Sequence, residues 1–346
     1  MPPIPEPPAL PPRRVLVTGV SGFVGLKLAK RLLAQGCQVR GLCRKPRPDI
    51  EALGIEMTYA DLADAPAIRS ACQGMDIVFH VAAKVGIWGT LQDFQKANVE
   101  GTQAIINGCR DFSVKKLVYT STPSVVFNDR NIAGHDESLP YGENIPCPYP
   151  TTKAIAEKAV LAAHDQPPGH LKTVALRPHL IWGNDDPNLV PRVLERARAG
   201  RLRIVGDGQN RVDLTHVENV VDAHLLAEIA LDRPQNNPGG KAYFISNGEP
   251  VVLWDWINQL LTDHGVSKIH RRISLANARR LGSVMEFLWT LLRLKGEPPM
   301  TRFVASELAK DHWFDISAAR RDLDYHPRIT MAQGMTQLLA NHAHTP

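Results

Sequence analysis

The stretch Arg14-Val15-Leu16-Val17-Thr18-Gly19-Val20-Ser21-Gly22-Phe23-Val24-Gly25 decides the fold. Its first five residues are a β-branched apolar run stopped by glycine, and from Phe23 to Ala34 the apolar positions recur at helical spacing, so it reads as strand, tight turn, helix. The three glycines stand three apart. In that context Gly19 permits the turn, Gly22 lets backbone approach a pyrophosphate, and Gly25 lets the helix pack on the sheet with its N-terminus toward an anion. Ser21 in the turn and Phe23 and Val24 at the start of the helix share the expected cofactor contact.

Outward from this unit, strand and helix keep alternating. Strands are expected at 38–43, 56–60, 75–81, 116–121 and 172–176, with helices at 64–71, 94–111 and 151–164 between them. Strands so separated cannot pair as hairpins and need right-handed crossovers, which predicts an α/β Rossmann-type, doubly wound parallel sheet. After residue 177 the pattern loosens into Pro/Gly-rich stretches, with apolar helices expected at 253–261 and 283–294, so a smaller mixed C-terminal substrate-binding lobe is expected. The expected division is a disordered Pro-rich arm at 1–12, a dinucleotide-binding part at 13–180 to which 213–246 returns, and a lobe of 181–212 with 247–346.

Composition bounds the function. Of 346 residues, 40 are Lys or Arg and 35 Asp or Glu, a net charge of +5 with no dominant field, which argues against nucleic acid as a partner. No run of about 18 apolar residues offers a membrane span. The five cysteines are scattered without a C-x-x-C pair, which fits a reducing, cytoplasmic setting, and the 13 histidines show no ligand spacing, so no metal is expected.

The second strand ends in Cys43-Arg44-Lys45 where an NAD site would carry an acid for the ribose 2′-hydroxyl. A guanidinium grips a 2′-phosphate that a carboxylate would repel, so Arg44 and Lys45 select NADP(H). Further on, Tyr149-Pro150-Thr151-Thr152-Lys153 puts a phenol and an amine four residues apart, on one helix face. An ammonium favours the phenolate, which would make the pair a proton donor beside a hydride carrier, and a hydroxyl from Thr120-Ser121-Thr122-Pro123-Ser124 can orient a carbonyl oxygen. Pro150 disfavours helical backbone at Tyr149, which sets the tyrosine at the helix entry.

Taken with Asp61-Leu62, Ala82-Ala83, Asn98 and Arg177-Pro178, these motifs resemble the extended short-chain dehydrogenases/reductases over residues 13–340. Gly206 to Asp213 is similar to the 3β-hydroxysteroid and sterol-4α-carboxylate dehydrogenase branch, and Val212 stands where sugar-nucleotide members usually carry an arginine. The segments Ala82–Gly89, Thr120–Val125, Ala175–Gly183 and Gly240–Pro250 resemble the branch members that reduce 2-alkyl-3-oxoalkanoic acids with NADPH. The resemblance implies Tyr149 as general acid, Lys153 as its tuner and ribose ligand, and Thr122 as the carbonyl-orienting hydroxyl, with Ser121 and Ser124 as alternatives. It also implies Asp61 and Leu62 at adenine, Ala82 and Ala83 at the phosphate-ribose region, and Pro178 and Ile181 at the nicotinamide. Lys84, Trp88, Ser124 and Trp182 are candidates for the substrate site.

The expected activity is reduction of the 3-oxo group of a hydrophobic 2-alkyl-3-oxo acid to the 3-hydroxy acid. A sterol or steroid 3β-ol dehydrogenase is the alternative, and a catalytically silent dinucleotide sensor the third reading. A homodimer is expected by analogy with the superfamily. The apolar segment 281–294, flanked by Arg279, Arg280 and Lys295, is expected to cover a substrate channel, rest on a membrane surface as a peripheral contact, or pack into the lobe's core.

Overall fold

The computed structural model describes residues 13–167 and 170–342, so the proline-rich arm lies outside the described residues. Seven strands form one parallel sheet: β1 (Arg14–Thr18), β2 (Gln38–Cys43), β3 (Glu56–Tyr59), β4 (Ile77–His80), β5 (Lys116–Thr120), β6 (Lys172–Pro178) and β7 (Ala242–Ile245). Their spatial order is β3-β2-β1-β4-β5-β6-β7. The order reverses between β1 and β4, and a crevice opens there at the strands' carboxyl ends. Register fixes its floor: Thr18 of β1 pairs with Leu42 of β2 on one side and His80 of β4 on the other.

Both faces of the sheet are covered, which explains why its central strands β1, β4, β5 and β6 are buried almost continuously rather than alternately. On one face α1 (Phe23–Ala34) contributes Leu28 and Leu32 to a buried cluster that also holds Val221 and Leu225 from the helix 217–230. On the other, α2 (Ala65–Ala71), α3 (Gly101–Asp111) and α4 (Pro148–Ala162) bring Ile68, Ile105, Ala156 and Val160 into a second cluster. The helix just named, Val217–Ala230, is α5, followed by α6 (Leu253–Asp263), α7 (Leu275–Leu291) and α8 (Arg302–Glu307). A third cluster, built on Leu194, Leu214, Trp254, Ile257 and Leu261, is assembled by residues after 180. A smaller mixed sheet joins Val251–Val252, Arg211–Val212, His312–Phe314 and Ile132–His135, four segments far apart in sequence.

Two local expectations are corrected. The helix expected at 94–111 is interrupted: an α-turn at Leu91–Phe94 and a π-helical stretch at Gln95–Glu100 precede α3. The helix carrying the tyrosine starts at Pro148, not Thr151, so Tyr149 lies inside its first turn rather than ahead of it. Proline is tolerated there because first-turn N–H groups have no partner within the helix.

Candidate active site

The glycine turn is built by close approach. Gly19 has φ +70°, and a Cβ on it would lie 2.9 Å from the Ala82 Cα, so β1's exit and β4's exit touch at this point. A Cβ on Gly25 would run into the Gly19 carbonyl oxygen, which seats the first turn of α1 directly on the loop. Gly22 caps α1 without a side-chain hydrogen bond, and Ser21 and Gly22 are exposed, leaving first-turn backbone N–H groups turned outward. This cradle, closed to side chains and open to an anion, fits the pyrophosphate of a dinucleotide.

The neighbouring expected cofactor residues fall around it. The amides of Gly19 and Val20 donate to Leu42 O at 2.8 and 3.3 Å, so the end of β2 abuts the turn and Arg44 and Lys45 emerge beside it, both exposed. Cys43 is buried, its Sγ donating to the Lys45 carbonyl. Asp61 and Leu62 follow β3, next to the end of β2 through the bond from Ala60 N to Cys43 O. Across the crevice, Ile181 packs with Phe23, Val24 and Val81, so the residue expected at the nicotinamide shares an apolar cluster with the glycine loop. Pro178 ends β6 at the same level.

The end of strand β5 and helix α4 position the candidate catalytic groups. Lys153, 1% exposed, sends its Nζ to the Thr120 carbonyl at 2.6 Å and lies 4.0 Å over the Tyr119 ring. Burial pulls its pKa down to about 7, against an upward pull from the Glu157 carboxylate one turn on. Tyr149 has its pKa pushed up to about 12 by burial, and the nearby Thr122 hydroxyl offsets part of the rise. The expectation that the amine makes the phenol acidic is therefore corrected. Desolvation dominates, the amine is turned to a carbonyl, and the phenol keeps its proton across the neutral range. Thr122 Oγ1 and Ser124 Oγ are 2.6 Å apart, while Ser121 Oγ is buried with no partner.

Sequence reasoning missed the polar chain that ties the crevice together. Ala82 N donates to Thr18 Oγ1, which is 2.8 Å from His80 Nδ1, and His80 Nε2 is 3.0 Å from Thr102 Oγ1. The Thr102 hydroxyl donates to the Asn98 carbonyl, and the Asn98 amide donates to Lys84 O and Thr152 Oγ1 while its oxygen accepts from Lys84 N. Burial takes the His80 pKa down to about 3, so the ring is a neutral linker. The only signal in the sequence was a histidine inside an otherwise apolar strand. Equally unannounced is the set at α4's third turn, where Arg177 Nη2 and Tyr141 OH both donate to Glu157 Oε1, at 2.6 and 2.7 Å.

Of the four substrate candidates, Ser124 joins Thr122, and Trp88 lines a groove of about 680 Å³ with Cys147, Thr151 and Phe287. Lys84 is held by backbone bonds to Asn98, and its ammonium pairs with Asp93 at 3.4 Å. Trp182 is fully buried, edge-on to His216 and Trp256, so it belongs to the third core cluster and not to a pocket wall. Phe127 and Phe303, their rings 4.9 Å apart and tilted at 56°, form an apolar wall with Ile87, Ile145 and Tyr149.

A dinucleotide cradle at the switch point of a parallel sheet, with a Tyr-x-x-x-Lys helix across from it, defines an extended short-chain dehydrogenase/reductase. The chain belongs to the 3-beta hydroxysteroid dehydrogenase/isomerase family, whose profile matches residues 16–276. It is 47% identical over 333 residues to 2-alkyl-3-oxoalkanoate reductase of Stenotrophomonas maltophilia, covering 95% of this chain and 99% of that one. The reductase of the same name from Shewanella oneidensis is 43% identical over 329 residues, covering 94% and 85%. Human sterol-4-alpha-carboxylate 3-dehydrogenase, decarboxylating, is more distant at 32% over 335 residues, covering 96% and 89%. Among solved structures, gox2253 superposes with a TM-score of 0.74 at 25% identity, covering 96% of this chain and all of that one. A double mutant of the dTDP-glucose 4,6-dehydratase DesIV of Streptomyces venezuelae, solved with NAD bound, gives the same TM-score at 20% identity, covering 96% and 97%.

Proposed function

We propose that the protein is an NADPH-dependent reductase that converts the 3-oxo group of hydrophobic 2-alkyl-3-oxoalkanoic acids to the 3-hydroxyl. The observation that carries this reading is the 47% identity that runs the full length of a 2-alkyl-3-oxoalkanoate reductase. When bound, the nicotinamide supplies the hydride. The glycine turn and the amides of α1 would hold its pyrophosphate, Ala82 and Ala83 the adjoining ribose region, Asp61 and Leu62 the adenine, and Lys153 the ribose hydroxyls. Thr122, with Ser121 and Ser124 beside it, orients the substrate carbonyl, and Tyr149 gives its proton to the alkoxide as it forms. A phenol pushed up to about 12 suits this direction, because it is protonated wherever the enzyme works. Residues 181–212 and 247–346 serve as the substrate-binding lobe. The same reading makes the protein a cytoplasmic homodimer, which light scattering tests.

Turnover of 2-alkyl-3-oxo acids followed by NADPH absorbance, beside a 4-carboxysterol with NAD⁺ and with NADP⁺, separates the reading from a sterol dehydrogenase. Consumption of NADPH with the oxo acid supports it. Oxidation of the sterol alone overturns it, and no turnover of anything restores the silent sensor.

Arg44 supports NADP(H) over NAD(H): an exposed guanidinium beside the turn can bond a 2′-phosphate at two points. Arg44→Ala is expected to weaken NADPH binding by about 10- to 100-fold and leave NADH binding within about twofold, read by fluorescence titration. Equal losses for both cofactors would contradict the assignment.

The lysine sets a pH limb. Its folded pKa is lowered to about 7 from an ordinary 10.5, so its ammonium is present below pH 7 and lost as pH rises through that value, while Tyr149 retains its proton. kcat/KM for reduction, which reports the free enzyme, is expected to fall about tenfold per pH unit above this point. The limb should vanish in Lys153→Arg, whose guanidinium does not titrate there. A flat wild-type profile from pH 6 to 9 would mean that reduction does not depend on the lysine's charge.

A further inference from the structure

Helix α7 buries little of itself. Ala278, Gly282 and Glu286 face inward, whereas Val284, Phe287 and Leu291 are 55%, 64% and 62% exposed, with Leu288 beside them. Positions 284, 287, 288 and 291 form one stripe along the outward face, and exposed Leu292 and Leu294 extend it. An apolar face left to water on this scale marks an interaction surface.

Charge says what covers it. Between residues 275 and 296 the one carboxylate is Glu286, and it is turned inward, Oε1 accepting from Arg302 N and Oε2 from Arg302 Nε, each at 2.7 Å. Arg279 is neutralised by Asp129 at 2.8 Å. The exposed cations Arg280, Arg293 and Lys295 therefore bracket the stripe with no outward acid near them in the segment. A second copy paired through this face by a two-fold would set these cations against one another. An anionic lipid surface accepts both the stripe and its cationic ends. The helix has 17 residues, and no helix among the described residues is long and apolar enough to cross a membrane, so α7 would lie in the interface plane.

The geometry points to α7 as a docking element for an anionic bilayer surface, with the stripe in the acyl boundary and Arg280, Arg293 and Lys295 at the phosphates. The flank of the same helix, through Ser283, Phe287 and Thr290, lines the groove whose far wall holds Trp88, Cys147 and Thr151, two residues from Tyr149. Docking opens that groove next to the acyl boundary, so a hydrophobic substrate passes from lipid to the site without crossing water. This delivery step rests on the proposed oxo-acid substrate. Docking itself does not.

The test is co-sedimentation of the full chain with vesicles of phosphatidylcholine containing about one third phosphatidylglycerol, beside pure phosphatidylcholine vesicles. The wild type is expected to bind the anionic vesicles at least about tenfold more tightly than the neutral ones, and less at high salt. The double variant Val284→Glu/Leu291→Glu is expected to lose at least about tenfold of that binding, with circular dichroism and NADPH turnover of a short, water-soluble oxo acid unchanged. A wild type that stays in the supernatant, or a variant that sediments as well as wild type, overturns the proposal. So does a wild-type dimer that ignores vesicles and falls apart in the variant, which would make the stripe a protein interface. Vesicle binding without oxo-acid turnover would leave docking intact and remove the proposed substrate.

Discussion

Tyr149→Phe is expected to lower kcat for reduction by about 10²- to 10⁴-fold, while the dissociation constant for NADPH changes by less than about threefold. The substitution deletes one hydroxyl at the helix surface, and neither the α4 backbone nor the cradle around Gly19 depends on it. What it removes is the proton donor. With the phenol gone, alkoxide formed at the substrate has Thr122 and Ser124 for stabilisation and water alone for its proton. The split between kcat and cofactor affinity is the informative part, because a structural defect would move both. Single-turnover mixing of enzyme, NADPH and oxo acid measures it. A variant with unimpaired turnover would take the proton step away from Tyr149.

Gly25→Ala is expected to have the second largest effect, at the other end of the crevice. The added methyl would overlap the Gly19 carbonyl oxygen, and both partners are backbone, so neither can swing aside as a side chain would. Either α1 lifts from the turn or the turn deforms, and the amides that face the pyrophosphate lose their aim. NADPH affinity should fall by about 100-fold or more, on the order of 3 kcal/mol, with a lower melting temperature because Leu28 and Leu32 shift with the helix. Titration of NADPH against a folded Gly25→Ala protein checks this. Unchanged affinity would mean that the turn is not the cofactor's seat.

The part of the fold that holds the cofactor was legible because it is local. β1 and α1 occupy 14–18 and 23–34 as their periodicity indicates, and the strand at 38–43 follows suit. The prolines around Tyr149 misled because their cost depends on where the helix starts, and at its first turn that cost disappears. The π-helical stretch at 95–100 leaves no periodic mark, yet it lies where Asn98 bonds both the Lys84 backbone and Thr152 of α4. Trp182, in a two-residue strand, reads as a loop residue near the site, whereas its burial comes from residues 34 and 74 positions away. The mixed sheet of 132–135, 211–212, 251–252 and 312–314 is set by long-range pairing that no local pattern encodes.

The site was legible as a set of residue types and not as electrostatics. Spacing alone places Tyr149 and Lys153 on one face, but it says nothing of how deeply each is buried. Burial reverses the expected direction of the phenol's pKa and lowers that of the amine. The proposed division of labour changes accordingly: Tyr149 would serve as a donor loaded across the neutral range, and Lys153 as the group that titrates.

The most direct test of the account follows the transferred atom. The enzyme is incubated with NADPH carrying deuterium at both C4 positions of the nicotinamide and a 2-alkyl-3-oxo acid, and the product is read by mass spectrometry. A 3-hydroxy acid one mass unit heavier, with deuterium on C3, is expected, formed by Tyr149→Phe about 10²- to 10⁴-fold more slowly than by the wild type. Product without deuterium at C3, or no reduction of any such acid, would contradict it.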